Sequence, residues 1–147
     1  MTTSKKARTA ARLAAVQALY QHEMEGTPLA SLLDEFHRHR LGAVIDDEQY
    51  LSAEVAFFDD VVKGALARRE DIDDLLGRKL AQGWSLKRLD KTMLQILRAG
   101  SYELMARADV PTAAISEYVD VAHAFFQPRE AKFVNGVLDA VAKAVRS

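Results

Sequence analysis

Apolar residues recur at helical spacing along nearly the whole of this 147-residue chain, and no stretch of useful length alternates apolar with polar. Spacing of three and four residues lines up one face of a helix, whereas a half-buried strand needs a period of two. Only seven glycines and three prolines interrupt the pattern. Such a chain packs helix on helix, so the expected fold class is all-α, a bundle of about seven helices. The length suits a single domain over residues 1–147, and a chain of this size buries about 68–70% of its unfolded surface. With 49% apolar residues it has the material for that core.

The first helix is expected from about Ser4 to Met24, with Leu13, Val16, Tyr20 and Met24 inward and Gly26 ending it. Thr27 then reads as an N-cap and Pro28 as the first helical position of a short helix through Leu29, Leu32, Leu33 and Phe36. Residues 40–46 form the connection. A long helix follows from about Asp47 to Arg69 on a stripe of Leu51, Val55, Phe58, Val62 and Leu66, with early acids and late arginines as the helix dipole favours. The next runs from about Asp71 to Ala81 on Ile72, Leu75, Leu76 and Leu80, stopping near Gly83. Ser85 is placed to cap a helix whose face is Leu89, Met93, Ile96, Leu97 and Leu104. Gly100 lies inside it and points to close helix packing. Val110-Pro111 restarts the chain into Ile115, Val119, Ala122 and Phe126. The last helix, after Gln127-Pro128, carries Val134, Val137, Leu138, Val141 and Val145, and its stripe stays in phase across Asn135-Gly136.

Several function classes drop out. The chain has no cysteine, which removes disulfide scaffolds, thiol catalysis and cysteine zinc sites. No apolar run approaches the roughly 18–20 residues of a membrane span, and no signal-like segment opens the chain, so a soluble cytoplasmic protein is expected. There is no G-x-S-x-G elbow, glycine-rich phosphate loop or H-E-x-x-H. His37 and His39 are two apart and point to different sides of a helix; His22 and His123 are isolated. Asp46, Asp47 and Glu48 have hard-cation chemistry, but they also begin a helix, where the dipole accounts for them. No catalytic residue, cofactor or metal is expected.

The net charge of −1 hides an uneven distribution. Residues 1–22 carry Lys5, Lys6, Arg8 and Arg12 with no acid, while residues 23–60 hold ten acids against Arg38 and Arg40. Lys5, Arg8 and Arg12 fall on one helical stripe with Lys6 beside it. Such a basic arm (about residues 1–12) suits either a local polyanion contact or a solubilising terminus. Phosphate contacts position a nucleic acid without reading it; base reading needs neighbours such as Gln17, Tyr20 or Phe133. Each of those three is otherwise a core or capping residue.

Arg12 followed by Val16-Gln17-Ala18-Leu19-Tyr20, then Leu97-Arg98, Tyr102-Glu103-Leu104, Val110-Pro111, Ile115, Glu117 and the run Lys132-Phe133-Val134-Asn135-Gly136-Val137-Leu138-Asp139 together resemble the NusB family. The resemblance spans nearly the whole chain, in order. It implies an all-α fold of two small helical subdomains and a non-enzymatic transcription factor. It also implies binding of single-stranded boxA RNA together with NusE, a small-subunit ribosomal protein, in an antitermination assembly on RNA polymerase at ribosomal RNA operons. The family's RNA-contacting positions map onto Lys5, Lys6, Arg8 and Arg12 and onto Lys132 and Phe133. The chain departs from the family pattern at Thr9-Ala10-Ala11, where many members have a denser arginine run. It departs again at Met93-Leu94, apolar where members are often charged, and at Ser116 and His123. Some rRNA cytosine methyltransferases carry a NusB-like domain; with eight residues after Asp139, no catalytic domain is expected. The rival expectation is a helical protein–protein adaptor that has lost RNA binding. A monomer and a homodimer both fit.

Overall fold

The computed structural model describes the backbone of residues 2–41, 48–81 and 83–146, and the side chains of 7–39, 55–81 and 83–146. Among the described residues seven helices follow in order: α1 (Thr2–Glu25), α2 (Leu29–Phe36), α3 (Glu48–Ala67), α4 (Arg69–Lys79), α5 (Lys91–Ala106), α6 (Ile115–Phe125) and α7 (Pro128–Arg146). A wider π-type turn, His37–Leu41, follows α2, and single 3-10 turns, Leu86–Arg88 and Thr112–Ala114, precede α5 and α6. No strand occurs among the described residues. Residues 1–66 and 67–147 form two compact units, as two helical subdomains require. Most of the expected 40–46 connection, the side chain of Leu51 and the Asp46-Asp47-Glu48 cluster lie outside the described residues.

In the first unit, α1 ends where Gly26 adopts φ +71° and its N–H reaches the His22 carbonyl at 3.0 Å. Glycine takes that left-handed conformation without steric cost. Thr27 does not cap α2. Its hydroxyl accepts from Gln21 Nε2 at 3.3 Å and its carbonyl from His22 Nδ1 at 3.0 Å, and Pro28 occupies the cap position instead. The inward face of α1 also differs from the expected stripe: Tyr20 and Met24 are exposed, while Ala7, Ala11, Ala14, Ala15, Val16, Ala18 and Leu19 are buried. Small side chains let neighbouring segments approach closely, and a stripe sought among large residues passes over them. Phe36 of α2 stacks on Phe58 of α3 with ring centroids 5.5 Å apart, and both are fully buried.

In the second unit α5 is the central helix. Every residue from Met93 to Leu104 is buried, so it has no polar face, contrary to the single apolar face expected. Its two buried charged side chains are accommodated by pairing, while Gln95 Nε2 and Ser101 Oγ are buried without a hydrogen-bond partner among the described residues. Arg98 forks onto Asp73 of α4 with two hydrogen bonds of 2.8 Å, and the Glu103 carboxylate accepts from the Tyr118 hydroxyl. Met93 and Leu94 are buried, so their apolar character serves packing. Gly100 fulfils its expected role: a Cβ there would lie 2.9 Å from Leu138 Cδ1 of α7. The cap of α5 is Asp90, whose Oδ1 accepts from the N–H groups of Thr92 and Met93 at 2.8 and 3.2 Å; Ser85 instead opens the 3-10 turn. At the far end, the Arg146 guanidinium donates to the carbonyls of Leu104 (3.0 Å), Arg107 (2.7 Å) and Val110 (2.5 Å), tying α7 to the chain leaving α5. The α7 helix runs through Asn135-Gly136 unbroken, although Val145 is exposed.

Candidate functional site

Two groups of residues gather the chemistry singled out above, one in each unit. In the first unit, Arg8 and Arg12 are one turn apart on α1 and share the buried ring of Phe57 from α3. Their guanidinium carbons lie 4.6 and 5.0 Å from its centroid. Such cation–π contacts fix the direction of the side chains. The two arginines are nonetheless unequal. Arg8 is half-buried, whereas Arg12 is only 5% exposed. The expected row of exposed charges therefore fails at Arg12, because the alanine face turned inward carries that position with it. The side chains of Lys5 and Lys6 lie outside the described residues, and their backbone continues α1. Gln17 is half-buried, and Tyr20 is exposed rather than core.

In the second unit, the start of α7 carries Lys132, exposed, and Phe133, half-buried. Phe133 meets Trp84 with centroids 6.0 Å apart and planes tilted by 46°. Together with Arg88, Met93, Phe126 and Arg129 they line a cleft of about 560 Å³. Trp84 is 52% exposed despite its size. It follows a turn in which Gly83 has φ +92° and the Trp84 N–H reaches the Ala81 carbonyl at 3.0 Å. Arg88 braces that turn from the 3-10 segment, donating to the Gly83 carbonyl at 2.6 Å with its guanidinium 5.9 Å from the indole centroid.

Two acids also line the cleft, and both serve helix starts. Asp90 caps α5, and Glu130 Oε1 accepts from the Gln127 N–H at 3.1 Å at the start of α7. Their charge lies against the positive ends of two helix dipoles. Arg88 and Arg129 are the cationic groups of the cleft, and Lys87 and Lys132, both exposed, are close to them in sequence. Aromatic faces beside guanidinium groups suit stacking on a flat ring and contact with a phosphate. Among the described residues there is no group of three histidines or acids placed to hold a metal. None of their helices is long and apolar enough to cross a membrane.

Of this cleft, sequence reasoning reached Phe133, with Lys132 next to it in sequence, and missed Trp84, Arg88, Phe126 and Arg129. A tryptophan between glycine and serine after a helix was the available signal. Its exposure depends on the turn at Gly83, which sequence spacing does not reveal.

The sequence profile of the NusB family matches residues 9–143. Transcription antitermination protein NusB of Novosphingobium aromaticivorans is 73% identical to this chain over 144 residues, covering 97% of each. Among solved structures, T. maritima NusB superposes with a TM-score of 0.77 at 33% identity, over 92% of this chain and 90% of that one. A chain in the crystal structure of the antitermination factors NusB and NusE in complex with dsRNA gives a TM-score of 0.78 at 26% identity, over 95% of this chain and 98% of that one.

Proposed function

The chain belongs to the NusB family, which is non-enzymatic, and on that premise we propose that it is a transcription antitermination factor binding boxA-type single-stranded RNA together with NusE. Its place is then the antitermination complex on RNA polymerase at ribosomal RNA operons, in the cytoplasm. The observation that carries the reading is the cleft at Phe133, where aromatic rings and arginines adjoin and the nearby acids are held at helix ends. Lys5, Lys6, Arg8 and Lys132 supply phosphate contacts, and Phe133 supplies a face for an unstacked base. Gln17 is a candidate base contact from α1. Arg12, being buried, acts by holding Phe57 and hence the α1–α3 packing beneath Arg8. The association with NusE is supported by the solved complex of NusB with that partner.

The rival, an adaptor without RNA binding, drew on the gap at Thr9-Ala10-Ala11. Ala11 is fully buried, so part of that gap is the packing face of α1 rather than a lost phosphate contact. Fluorescence anisotropy of a labelled boxA-like RNA against a scrambled RNA of equal length, each with and without NusE, tests the proposal. Preference for the boxA-like sequence in the presence of NusE is the expected result. No binding of either RNA at low salt, with NusE binding intact, would establish the adaptor.

A further inference from the structure

We propose that Trp84 is a base-stacking platform of the cleft, receiving an unpaired nucleotide whose phosphate faces Arg129. This rests on the RNA reading above and goes further, by assigning a residue and an element, the turn before α5, to the RNA surface. A tryptophan that is 52% exposed, beside an open cleft, leaves a large apolar ring in water. The chain around it sets its position: Gly83 supplies the positive φ, the Trp84 N–H donates to the Ala81 carbonyl, and Arg88 donates to the Gly83 carbonyl. A ring displayed by such a brace is preorganised for a flat partner. Phe133 supports one side of it at 6.0 Å, too close for a base to lie between the two rings. The nucleotide therefore stacks on the outer indole face rather than intercalating.

Charge selects the occupant. Asp90 and Glu130 are engaged at helix starts, while the side chain of Arg129 is 92% exposed at the same rim, with Lys87 and Lys132 exposed close by in sequence. The Arg129 Nε also lies 3.4 Å from Glu130 Oε2, a long contact at an open surface that contributes little and yields readily to a phosphate. Aromatic faces beside an exposed arginine match a single-stranded nucleic acid, whose bases all present π faces and whose backbone is anionic. In a paired RNA the bases are stacked on one another, and such a helix offers Trp84 no free face.

Trp84 is the only tryptophan in the chain, so its intrinsic fluorescence reports on this turn alone. The experiment titrates the full chain, with a tryptophan-free NusE variant present, with boxA-like single-stranded RNA, following indole emission and RNA anisotropy together. Quenching of Trp84 in step with the anisotropy is expected, with much less quenching by a duplex of the same sequence. Trp84→Ala is expected to lose about 5- to 150-fold in affinity, the range of stacking on one aromatic, and Trp84→Phe to recover most of it. Arg129→Gln should make the salt slope shallower by about 0.7. Because Trp84 is exposed, an unchanged melting temperature in the alanine variant shows that the loss is not unfolding. RNA binding without quenching, and with full affinity in Trp84→Ala, overturns the assignment while leaving the RNA reading intact. Quenching by NusE alone, unaltered by RNA, would make the cleft a protein contact and also overturn it. Absence of any RNA binding by anisotropy defeats the reading on which the assignment rests.

Discussion

Replacing Arg12 by alanine is expected to cost about 2–3 kcal/mol of stability, although a basic residue in an acid-free segment reads as a surface charge. Arg12 is 5% exposed and its guanidinium lies 5.0 Å from the centroid of Phe57, itself 3% exposed. A desolvated cation–π contact contributes about 2 kcal/mol or more, and loss of the buried aliphatic stem adds to this. Arg8 sits 4.6 Å from the same ring but is half-buried, so Arg8→Ala should cost only about 0.5–1 kcal/mol. At roughly 3–4 °C per kcal/mol for a chain of this size, the Tm drops are about 6–12 °C and about 2–4 °C. Urea and thermal unfolding followed by circular dichroism read both. Arg12→Met, which keeps much of the stem, should recover part of the loss, and a double-mutant cycle with Phe57→Leu should show coupling of about 1 kcal/mol or more. The functional signs run the other way: in salt titrations with RNA, Arg8→Ala should make the slope shallower by about 0.7 while Arg12→Ala leaves it unchanged. If Arg12→Ala unfolds within about 0.5 kcal/mol of the wild type, the buried cation–π role is wrong and α1 presents its arginines as a simple exposed row.

The glycines give a contrasting pair. Gly136 sits exposed inside α7 with open space where an alanine methyl would stand, so Gly136→Ala should stabilise by about 0.5–1 kcal/mol, read as a rise in Tm. Gly100→Ala gains the same helix propensity but places a methyl 2.9 and 3.1 Å from the two Cδ atoms of Leu138, which is fully buried; it should come out less stable than Gly136→Ala by about 1–3 kcal/mol. Asp90→Ala removes the cap of α5 and should cost about 0.5–2 kcal/mol, whereas Ser85→Ala should cost less than about 0.5 kcal/mol, by denaturant midpoint.

Much of the fold is legible in the sequence because large apolar residues at helical spacing fall on seven segments, and because Gly26, Gly100 and the phase across Asn135-Gly136 each point one way. What escapes has physical causes. The inward face of α1 is built on alanines, which count little in a stripe of large side chains, so spacing alone turns Tyr20 and Met24 inward and Arg12 outward, the reverse of the folded chain. Thr27 and Ser85 are good capping residue types, but Thr27 is engaged by Gln21 and His22, and Asp90 stands nearer the start of α5. The burial of α5 on every side depends on Arg98 meeting Asp73 and Glu103 meeting Tyr118, pairings 25 and 15 residues apart in sequence. At the candidate site, Lys132 and Phe133 are accessible through a continuous run of residues. Trp84, Arg88 and Arg129 join them only through the folded turn and the approach of α7.

The most direct test of RNA binding as part of a pair is a titration of boxA-like RNA at several salt concentrations, with and without NusE. Lys5, Lys6, Arg8, Arg129 and Lys132 allow about three to five phosphate contacts, and at about −0.7 per contact the isolated chain should show a slope of roughly −2 to −3.5 in log affinity against log salt. Its binding is then weak near physiological ionic strength. NusE, if it touches the same RNA, raises affinity through the high effective concentration of linked sites. The expected result is tight boxA binding only with NusE present, and weak, salt-sensitive binding without it. Nanomolar, salt-insensitive binding by the chain alone, or a complex with NusE that brings no gain in RNA affinity, would contradict it.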